Sequence, residues 1–301
     1  MQIKNNSAKT KRYLLLIVKL ALVAASITLI VQAVNSRQVD LNGLVWPENT
    51  VILMVILFLL MLVNLWLEAL RWKVSLQNVE PISLSQATHA VLGGLALNWI
   101  LPFTAGDALA RLWPVEDKYQ TSSAMLLNRF IMFSFTLVLG IYGVWSMKSL
   151  ELAWNIHAWF GVIGIILIGF LFRRRLAPFF TYFRSLSSET FIKVLLLSTL
   201  RYTVFVFQFY IILSQFLPGL SESEILGGIA WIFLVRSVLP ILFGGLGVRE
   251  VSGMMYFSGL VQDLTYVIVP VFIIWLLNTA LPSALGCISV WKMKPKNASS
   301  G

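Results

Sequence analysis

Two stretches interrupt an otherwise apolar sequence, and together they decide how the chain folds. Residues 101–111 read LPFTAGDALAR, and residues 240–250 read PILFGGLGVRE. Each begins at or beside a proline, which ends a helix, and continues through glycine, which permits a tight reversal of the backbone. Each then carries an acidic residue and an arginine. We therefore predict that the chain turns back on itself at both places and carries charge there.

The rest of the chain is too apolar for a water-soluble domain. Of the 301 residues, 58% are hydrophobic and 12% are charged, and the mean hydropathy is +0.83; soluble domains have about half apolar and a quarter charged residues. Several apolar runs can cross a bilayer as helices, and none alternates like a membrane β-strand. The sequence therefore predicts an all-α, polytopic integral membrane protein. Its six predicted transmembrane helices are Tyr13–Val34, Val51–Trp72, Ala124–Met147, Asn155–Phe172, Val194–Leu217 and Leu264–Val290.

Two further apolar runs, about Ala90–Leu101 and about Ile225–Phe243, are shorter and are broken by Pro102 and Pro240. Runs of about a dozen residues suit re-entrant or buried segments better than full spans. We therefore predict two re-entrant hairpins beside the six spans. All of them belong to one transmembrane domain, residues 13–291, between tails at 1–12 and 292–301.

The two halves of the sequence correspond when one is shifted by 138 residues, because apolar runs then fall on apolar runs. Three distinctive pairs of residues also coincide: Pro102 with Pro240, Gly106 with Gly244, and Arg111 with Arg249. The shift predicts two repeats, about 13–147 and 151–291. With three spans in each, the repeats are inverted, as in transporters whose broken helices meet near the membrane midplane.

The net charge of +10 predicts the orientation of the chain. Cytoplasmic loops of membrane proteins are rich in lysine and arginine. Six spans place most of the 23 basic residues on one side, whereas full crossings by the broken stretches would put the basic connection 173–193 outside. We therefore predict that both termini are cytoplasmic. The charges also predict attraction to anionic lipids, and we expect no nucleic-acid binding because no basic-aromatic groove accompanies them.

The charged pairs in the two quoted stretches are candidates for binding an anion. Asp107 and Arg111 are four residues apart, so they share a face of a helix and can pair. A helix N-terminus beside them presents N–H groups to an anion, and arginine binds phosphate with two parallel hydrogen bonds. Arg249 and Glu250 in GGLGVRE support the same interpretation. The alternatives are a structural ion pair at the membrane surface and close helix packing through small residues.

Polar side chains within the apolar runs are candidates for lining a cavity. Asn98 and Arg236 each lie one helical turn before a proline, and an intramembrane polar group usually faces a partner or a wet cavity. Arg201 is interpreted as pairing or snorkelling to the interface, and Arg71 and Arg129 as interface anchors. The only two histidines are far apart in sequence, so we expect no metal site and no cofactor.

Together these features resemble a known family. An asparagine followed by proline and a glycine–acid–arginine stretch, the segment ALRW at Ala69–Trp72, and GGLGVRE are similar to the transmembrane region of lysylphosphatidylglycerol synthase, the flippase-like domain of the multiple peptide resistance factor, and its stand-alone relatives. The resemblance implies a bacterial inner-membrane protein that moves an anionic or aminoacylated phospholipid, or a glycolipid, between leaflets. By position it implies these site residues: Asn98, Pro102, Gly106, Asp107, Arg111, Arg129, Pro240, Gly244, Gly245, Gly247, Arg249 and Glu250.

Two other functions stay open at this point. The chain lacks the soluble domain with which full-length synthases use aminoacyl-tRNA, so we expect no lysyl-lipid synthesis. A membrane-embedded enzyme acting on lipid headgroups would use Asp107 or Glu250 as acid or base, and its lipid would be chemically altered. A non-catalytic partner of a separate lipid synthase or glycosyltransferase would co-purify with it and show no activity alone.

Overall fold

The computed structural model describes residues 28, 43–101, 105–147, 182–184, 186–238 and 246–292, and within these ranges it contains helices and no strands. The helices of the first half are α1 (Thr50–Leu76), α2 (Leu84–Ile100), α3 (Ala105–Leu112) and α4 (Lys118–Trp145). Those of the second half are α5 (Ser188–Phe216), α6 (Glu222–Val238), α7 (Val248–Phe257), α8 (Thr265–Trp275) and α9 (Leu281–Lys292). A π-helical turn, Leu276–Ala280, joins α8 to α9.

Four helical segments are long and apolar enough to cross a membrane. They are α1, α4, α5 and the continuous segment Thr265–Trp291 formed by α8, the π-helical turn and α9. Large apolar side chains such as Val51 and Trp66 on α1 are exposed, as expected of a surface that faces lipid. These segments are consistent with a helical membrane protein and correspond to four of the predicted spans. The other two, Tyr13–Val34 and Asn155–Phe172, lie outside the described residues.

The helices of both broken stretches start earlier than the apolar pattern indicates, although only α2 is longer than its predicted stretch; α2 and α6 each have 17 residues. α2 begins at Leu84, six residues before the predicted start, because a capping box satisfies its first N–H groups. Ser83 Oγ accepts the N–H of Gln86, and the Gln86 side chain accepts the N–H of Ser83. The helix ends at Ile100, as expected ahead of Pro102.

The first hairpin consists of α2 and α3, which folds back along α2. A Cβ atom on Gly106 would lie 2.3 Å from the carbonyl carbon of Leu97 and 2.4 Å from the backbone nitrogen of Asn98. Gly106 therefore permits the close approach of two helices. The sequence interpretation, that it permits the reversal itself, is wrong, because it lies inside α3. The ends of the hairpin also meet, since Glu80 Oε2 accepts the N–H of Glu116 at 2.8 Å.

The second hairpin consists of α6 and α7 and is built in the same way. Trp231 Nε1 on α6 donates to the carbonyl of Ser252 on α7 at 3.0 Å. Gly247 precedes α7 with a φ of 85°, a conformation that favours glycine. The Glu250 carboxylate accepts the N–H of Gly247 at 2.8 Å. Gly247 and Glu250 therefore set where α7 begins.

Helix bounds reproduce the repeat in the sequence. Shifting α2, residues 84–100, by 138 gives 222–238, which are the bounds of α6, and the same shift carries the start of α1 at Thr50 to the start of α5 at Ser188. The last spans of the two halves end at Trp145 and Trp291, which are 146 residues apart. The second half therefore has eight extra residues between α6 and the end of its last span.

Helix packing follows the same correspondence. α2 packs on α9 of the other half, α6 packs on α4, and α1 packs on α5. Small residues permit both crossed contacts, as is common between membrane helices. A Cβ on Gly286 would lie 2.1 Å from the carbonyl oxygen of Leu92, and one on Gly140 would lie 2.8 Å from Leu234. Each half thus completes its packing with helices of the other.

Corresponding helices point in opposite directions. Gln77, just after α1, donates from its side chain to Thr190 near the start of α5. At the other end, Trp46 lies before α1 and contacts Phe216, the last residue of α5, with ring centroids 5.9 Å apart. α1 and α5 are therefore antiparallel, and the two hairpins that follow them start at opposite ends of the molecule.

Candidate functional site

A cavity of about 1100 Å³ lies where the two hairpins meet the long helices. Most of its wall is apolar, with side chains such as Leu65, Phe130 and Phe205. Among the described residues, its charged lining consists of six arginines and two carboxylates: Arg71, Arg111, Arg129, Arg201, Arg236, Arg249, Glu68 and Asp107. Charges are costly inside a membrane unless they face partners or a wet cavity, so this concentration marks the candidate site.

Glu68 on α1 is the centre of the buried charge network. Its side chain is 8% exposed, and its two oxygens contact three arginines. Oε2 lies 2.5 Å from Arg71 Nη2 and 3.3 Å from Arg201 Nε, while Oε1 lies 2.6 Å from Arg111 Nη2. One carboxylate therefore compensates cations from α1, α3 and α5 and ties these helices together.

Asp107 is the second carboxylate of the network, and it connects the network to α4. The predicted pair with Arg111 is present, since Arg111 Nε lies 2.7 Å from Asp107 Oδ1. Arg129 on α4 adds a contact of 3.1 Å to Oδ2. Arg111 also lies over the buried ring of Trp72, 4.8 Å from its centroid, as in a cation–π contact. Arg111 thus bridges both carboxylates.

Asn98 lines the cavity, as predicted, and also positions Asp107. Its Oδ1 accepts the N–H of Asp107 at 3.0 Å. The first turn of a helix has N–H groups without helical partners, and the sequence suggested that these face an anion. Here one of them is bound to Asn98, so the arginine side chains are the stronger candidates for binding an anion.

Arg236 and Arg249 bring the second hairpin into the cavity. Arg249 Nη2 lies 3.5 Å from Thr279 Oγ1, which also lines the cavity. Its neighbour in sequence, Glu250, is turned away to bind the Gly247 N–H, and neither it nor Gly247 is part of the described lining. Of the remaining predicted site residues, Gly106 acts through helix packing, and Pro102, Pro240, Gly244 and Gly245 lie outside the described residues.

The interpretation of Arg71 and Arg129 as interface anchors is wrong. Both line the cavity, where Arg71 pairs with Glu68 and Arg129 with Asp107. Arg201 pairs rather than snorkels, also with Glu68. The signal for this network was Glu68 itself, a carboxylate one helical turn from Arg71 within an apolar run, because such a group needs buried partners.

The sequence analysis did not predict a group of polar side chains in and beside the π-helical turn. Asn278 and Thr279 line the cavity, and Asn278 Nδ2 donates to Gln208 Oε1 at 2.8 Å. Gln208 in turn donates to the carbonyl of Leu57 at 2.8 Å. π-helical turns within α-helices are frequent at functional sites. The signal was Pro282, which lacks an N–H and disturbs the helix just beyond the turn.

The chemistry available in the cavity is ionic binding. The described residues hold no cluster of three or more His, Cys, Asp or Glu side chains that could bind a metal. Instead, arginines from both halves converge on one space with an excess of positive charge. No family model, curated protein or solved structure matches the chain.

Proposed function

We propose that the protein is a flippase-like transporter that moves a lipid with an anionic headgroup between the leaflets of a membrane. The observation that carries this proposal is the joint presence, in one cavity, of six arginines, two carboxylates and a mainly apolar wall. Arginine binds phosphate oxygens bidentately, and the apolar wall suits the hydrocarbon next to a headgroup. The resemblance to the lysylphosphatidylglycerol synthase transmembrane region agrees with this proposal.

The wall formed by α4 supports entry of lipid from the side. Leu126, Arg129 and Phe130 line the cavity, yet Leu126 is 42% and Phe130 60% exposed, and the Arg129 side chain is 45% exposed. The cavity lining therefore reaches the outer surface of the protein there. A lipid would keep its acyl chains among other lipids while its headgroup enters among the arginines.

The two hairpins fit re-entrant segments from opposite membrane faces. A helix of 17 residues, such as α2 or α6, is roughly 25 Å long, which is less than the ~30 Å hydrocarbon core. The second helix of each hairpin, α3 or α7, folds back on the first helix. The two hairpins start at opposite ends of the molecule. With the two spans predicted outside the described residues, each half has three spans and the halves are inverted. Transporters with this architecture alternate access around a central site.

Charge at the two ends supports a cytoplasmic location for the end where α1 finishes. That end carries Lys73, Lys118, Arg184 and Lys193. The described residues at the opposite end include Glu48, Glu222, Glu224 and Asp263 and no lysine or arginine. Under the positive-inside rule the basic end is cytoplasmic, in agreement with the expectation from the sequence that both termini are cytoplasmic. A bacterial inner membrane follows from the resemblance.

The carboxylates provide the cavity with internal counter-ions. Glu68 and Asp107 occupy the arginine donors, so that four cations share two negative charges when no lipid is bound. A headgroup phosphate competes for the same donors, and the internal ion pairs re-form as it leaves. This exchange keeps binding weak enough for release, which a transporter requires.

The proposal is tested by reconstituting the protein in vesicles with lipids that carry a short fluorescent acyl chain. A membrane-impermeant reductant bleaches only the outer leaflet, so loss of the protected signal reports transfer. We expect labelled phosphatidylglycerol to cross faster than in protein-free vesicles and faster than labelled phosphatidylcholine. Rates equal to those of empty vesicles for every lipid would contradict the proposal. A lipid of altered mass after incubation would favour the enzyme alternative.

A further inference from the structure

We propose that the cavity selects lipids whose headgroup ends in a phosphomonoester, which carries nearly two negative charges, and that Arg236 provides this selectivity. The inference rests on the proposed function and names the class of lipid that the site takes. It follows from the balance of charge in the cavity, from the position of Arg236 within it, and from the difference in charge between phosphate esters.

Positive charge exceeds negative charge in the cavity by more than one unit. Six arginines face Glu68 and Asp107, and Glu250, which is not part of the described lining, attracts Arg249 electrostatically. These three carboxylates leave an excess of three positive charges. This balance is that of the described residues.

The excess is concentrated on the side of the second half. The described lining from α6, α7 and the π-helical turn is Phe233, Arg236, Ser237, Arg249, Asn278 and Thr279, without a carboxylate. The acidic residues of the lining belong to α1 and α3. The cavity thus has one end where arginines pair with carboxylates and one end where arginines are accompanied by neutral polar side chains.

Arg236 is the centre of the second end. No carboxylate of the described residues lies within 4.0 Å of it, and its charged neighbours are the cations Arg201 and Arg249. Glu68 is shared by Arg201 and two other arginines, so it compensates only part of the positive charge of Arg201. Arg201 therefore still repels Arg236. A cation beside two like charges in a poorly solvated cavity is stabilised by an anion, and the site is open to one because Arg236 is only partly buried.

The charge of the headgroup decides which lipids benefit. A phosphomonoester carries about −1.5 to −2 at pH 7 and three acceptor oxygens, whereas a phosphodiester such as phosphatidylglycerol carries about −1. The first charge can be matched by Arg111 and Arg129 after exchange with Asp107. The second finds its match at Arg236. Phosphatidate and polyprenyl phosphate both present this chemistry.

The test measures binding to the purified protein in detergent. The probes are dioctanoyl phosphatidate, farnesyl phosphate, dioctanoyl phosphatidylglycerol, dioctanoyl phosphatidylcholine and inorganic phosphate. We expect at least one phosphomonoester lipid to bind about tenfold or more tightly than phosphatidylglycerol. Whichever of phosphatidate and farnesyl phosphate binds more tightly identifies the kind of tail.

Two variants locate the selectivity. Arg236→Gln is expected to reduce the affinity for the phosphomonoester to that for phosphatidylglycerol, while Arg236→Lys, which keeps the charge, retains part of the preference. Lys193→Gln removes an exposed charge away from the cavity and should leave the preference unchanged. Equal wild-type affinity for both lipids, a preference that survives in Arg236→Gln, or equal competition by inorganic phosphate would each overturn the inference.

The inference and the proposed function fail separately. Transfer of phosphatidylglycerol without any preference for a phosphomonoester would contradict the selectivity and leave the transporter standing. A clear preference that is lost in Arg236→Gln, combined with no transfer of any lipid, would support the binding site and contradict transport.

Discussion

Replacing Glu68 with glutamine is expected to lower the free energy of unfolding by about 3–5 kcal/mol, because it leaves buried arginines without their carboxylate. Glutamine has nearly the same shape, so the change isolates the charge. Arg71, Arg111 and Arg201 all contact Glu68, and its side chain is 8% exposed. The measurement is chemical or thermal unfolding of the purified protein in detergent.

Glu189→Gln is the matched control for this substitution. Glu189 also pairs with a basic residue, Lys193, but its side chain is 74% exposed. Exposed ion pairs contribute little to stability, so this variant should unfold with the wild type. Equal stability of the Glu68→Gln and Glu189→Gln variants would show that the buried network does not hold the helices together.

Gly106→Ala is expected to cause the second large effect, a loss of lipid transfer of about tenfold or more with destabilisation of roughly 1–3 kcal/mol. The added Cβ would lie within 2.4 Å of backbone atoms of Leu97 and Asn98, which cannot move aside as a side chain can. α3 must therefore shift from α2. That shift separates Asp107 from Asn98 and displaces Arg111 from Glu68. The transfer assay in vesicles measures the outcome.

The control for Gly106→Ala is Gly219→Ala. Gly219 has no atom within 4 Å of an added Cβ, so the same change of residue creates no overlap there. We expect wild-type stability and transfer from this variant. If Gly106→Ala also behaved as the wild type, the close contact of α2 and α3 would have no part in placing the charges.

The long helices and the repeat could be predicted because they depend on local pattern. Apolar runs gave four spans to within six residues at each end, and the 138-residue shift matched α2 to α6. The start of α2 was placed too late, although Ser83 and Gln86 have the spacing of a capping box. The capping residues are polar and precede the apolar run, so a prediction based on hydropathy alone misses this start of the helix.

The membership of the charge network could be predicted only in part. Asp107 and Arg111 are close in sequence, and their pair followed from helical spacing. The contacts of Glu68 with Arg111 and Arg201 join residues 43 and 133 positions apart and depend on how the halves interlock. The interpretation of Arg129 as an interface anchor failed for the same reason, because its carboxylate, Asp107, belongs to another helix. For Arg71 the carboxylate is Glu68 on the same helix, so helical spacing alone indicated that pair.

Glu250 was predicted to belong to the site, but it does not line the cavity. Its position beside Arg249 suggested a second charged pair in the site, by analogy with Asp107 and Arg111. Adjacent residues on a helix point in different directions, so Arg249 faces the cavity while Glu250 binds the N–H of Gly247. The analogy held for the arginine at each position and not for the acid.

The measurement that tests the central claim most directly compares lipid transfer by Arg111→Ala, Arg249→Ala, Lys193→Ala and the wild type in vesicles. Each variant is first shown to be folded by its unfolding curve and elution as a single species. If the headgroup crosses between arginines of the two halves, both cavity variants lose most of the transfer and Lys193→Ala keeps it. Wild-type rates in both cavity variants would show that lipid does not pass through this cavity.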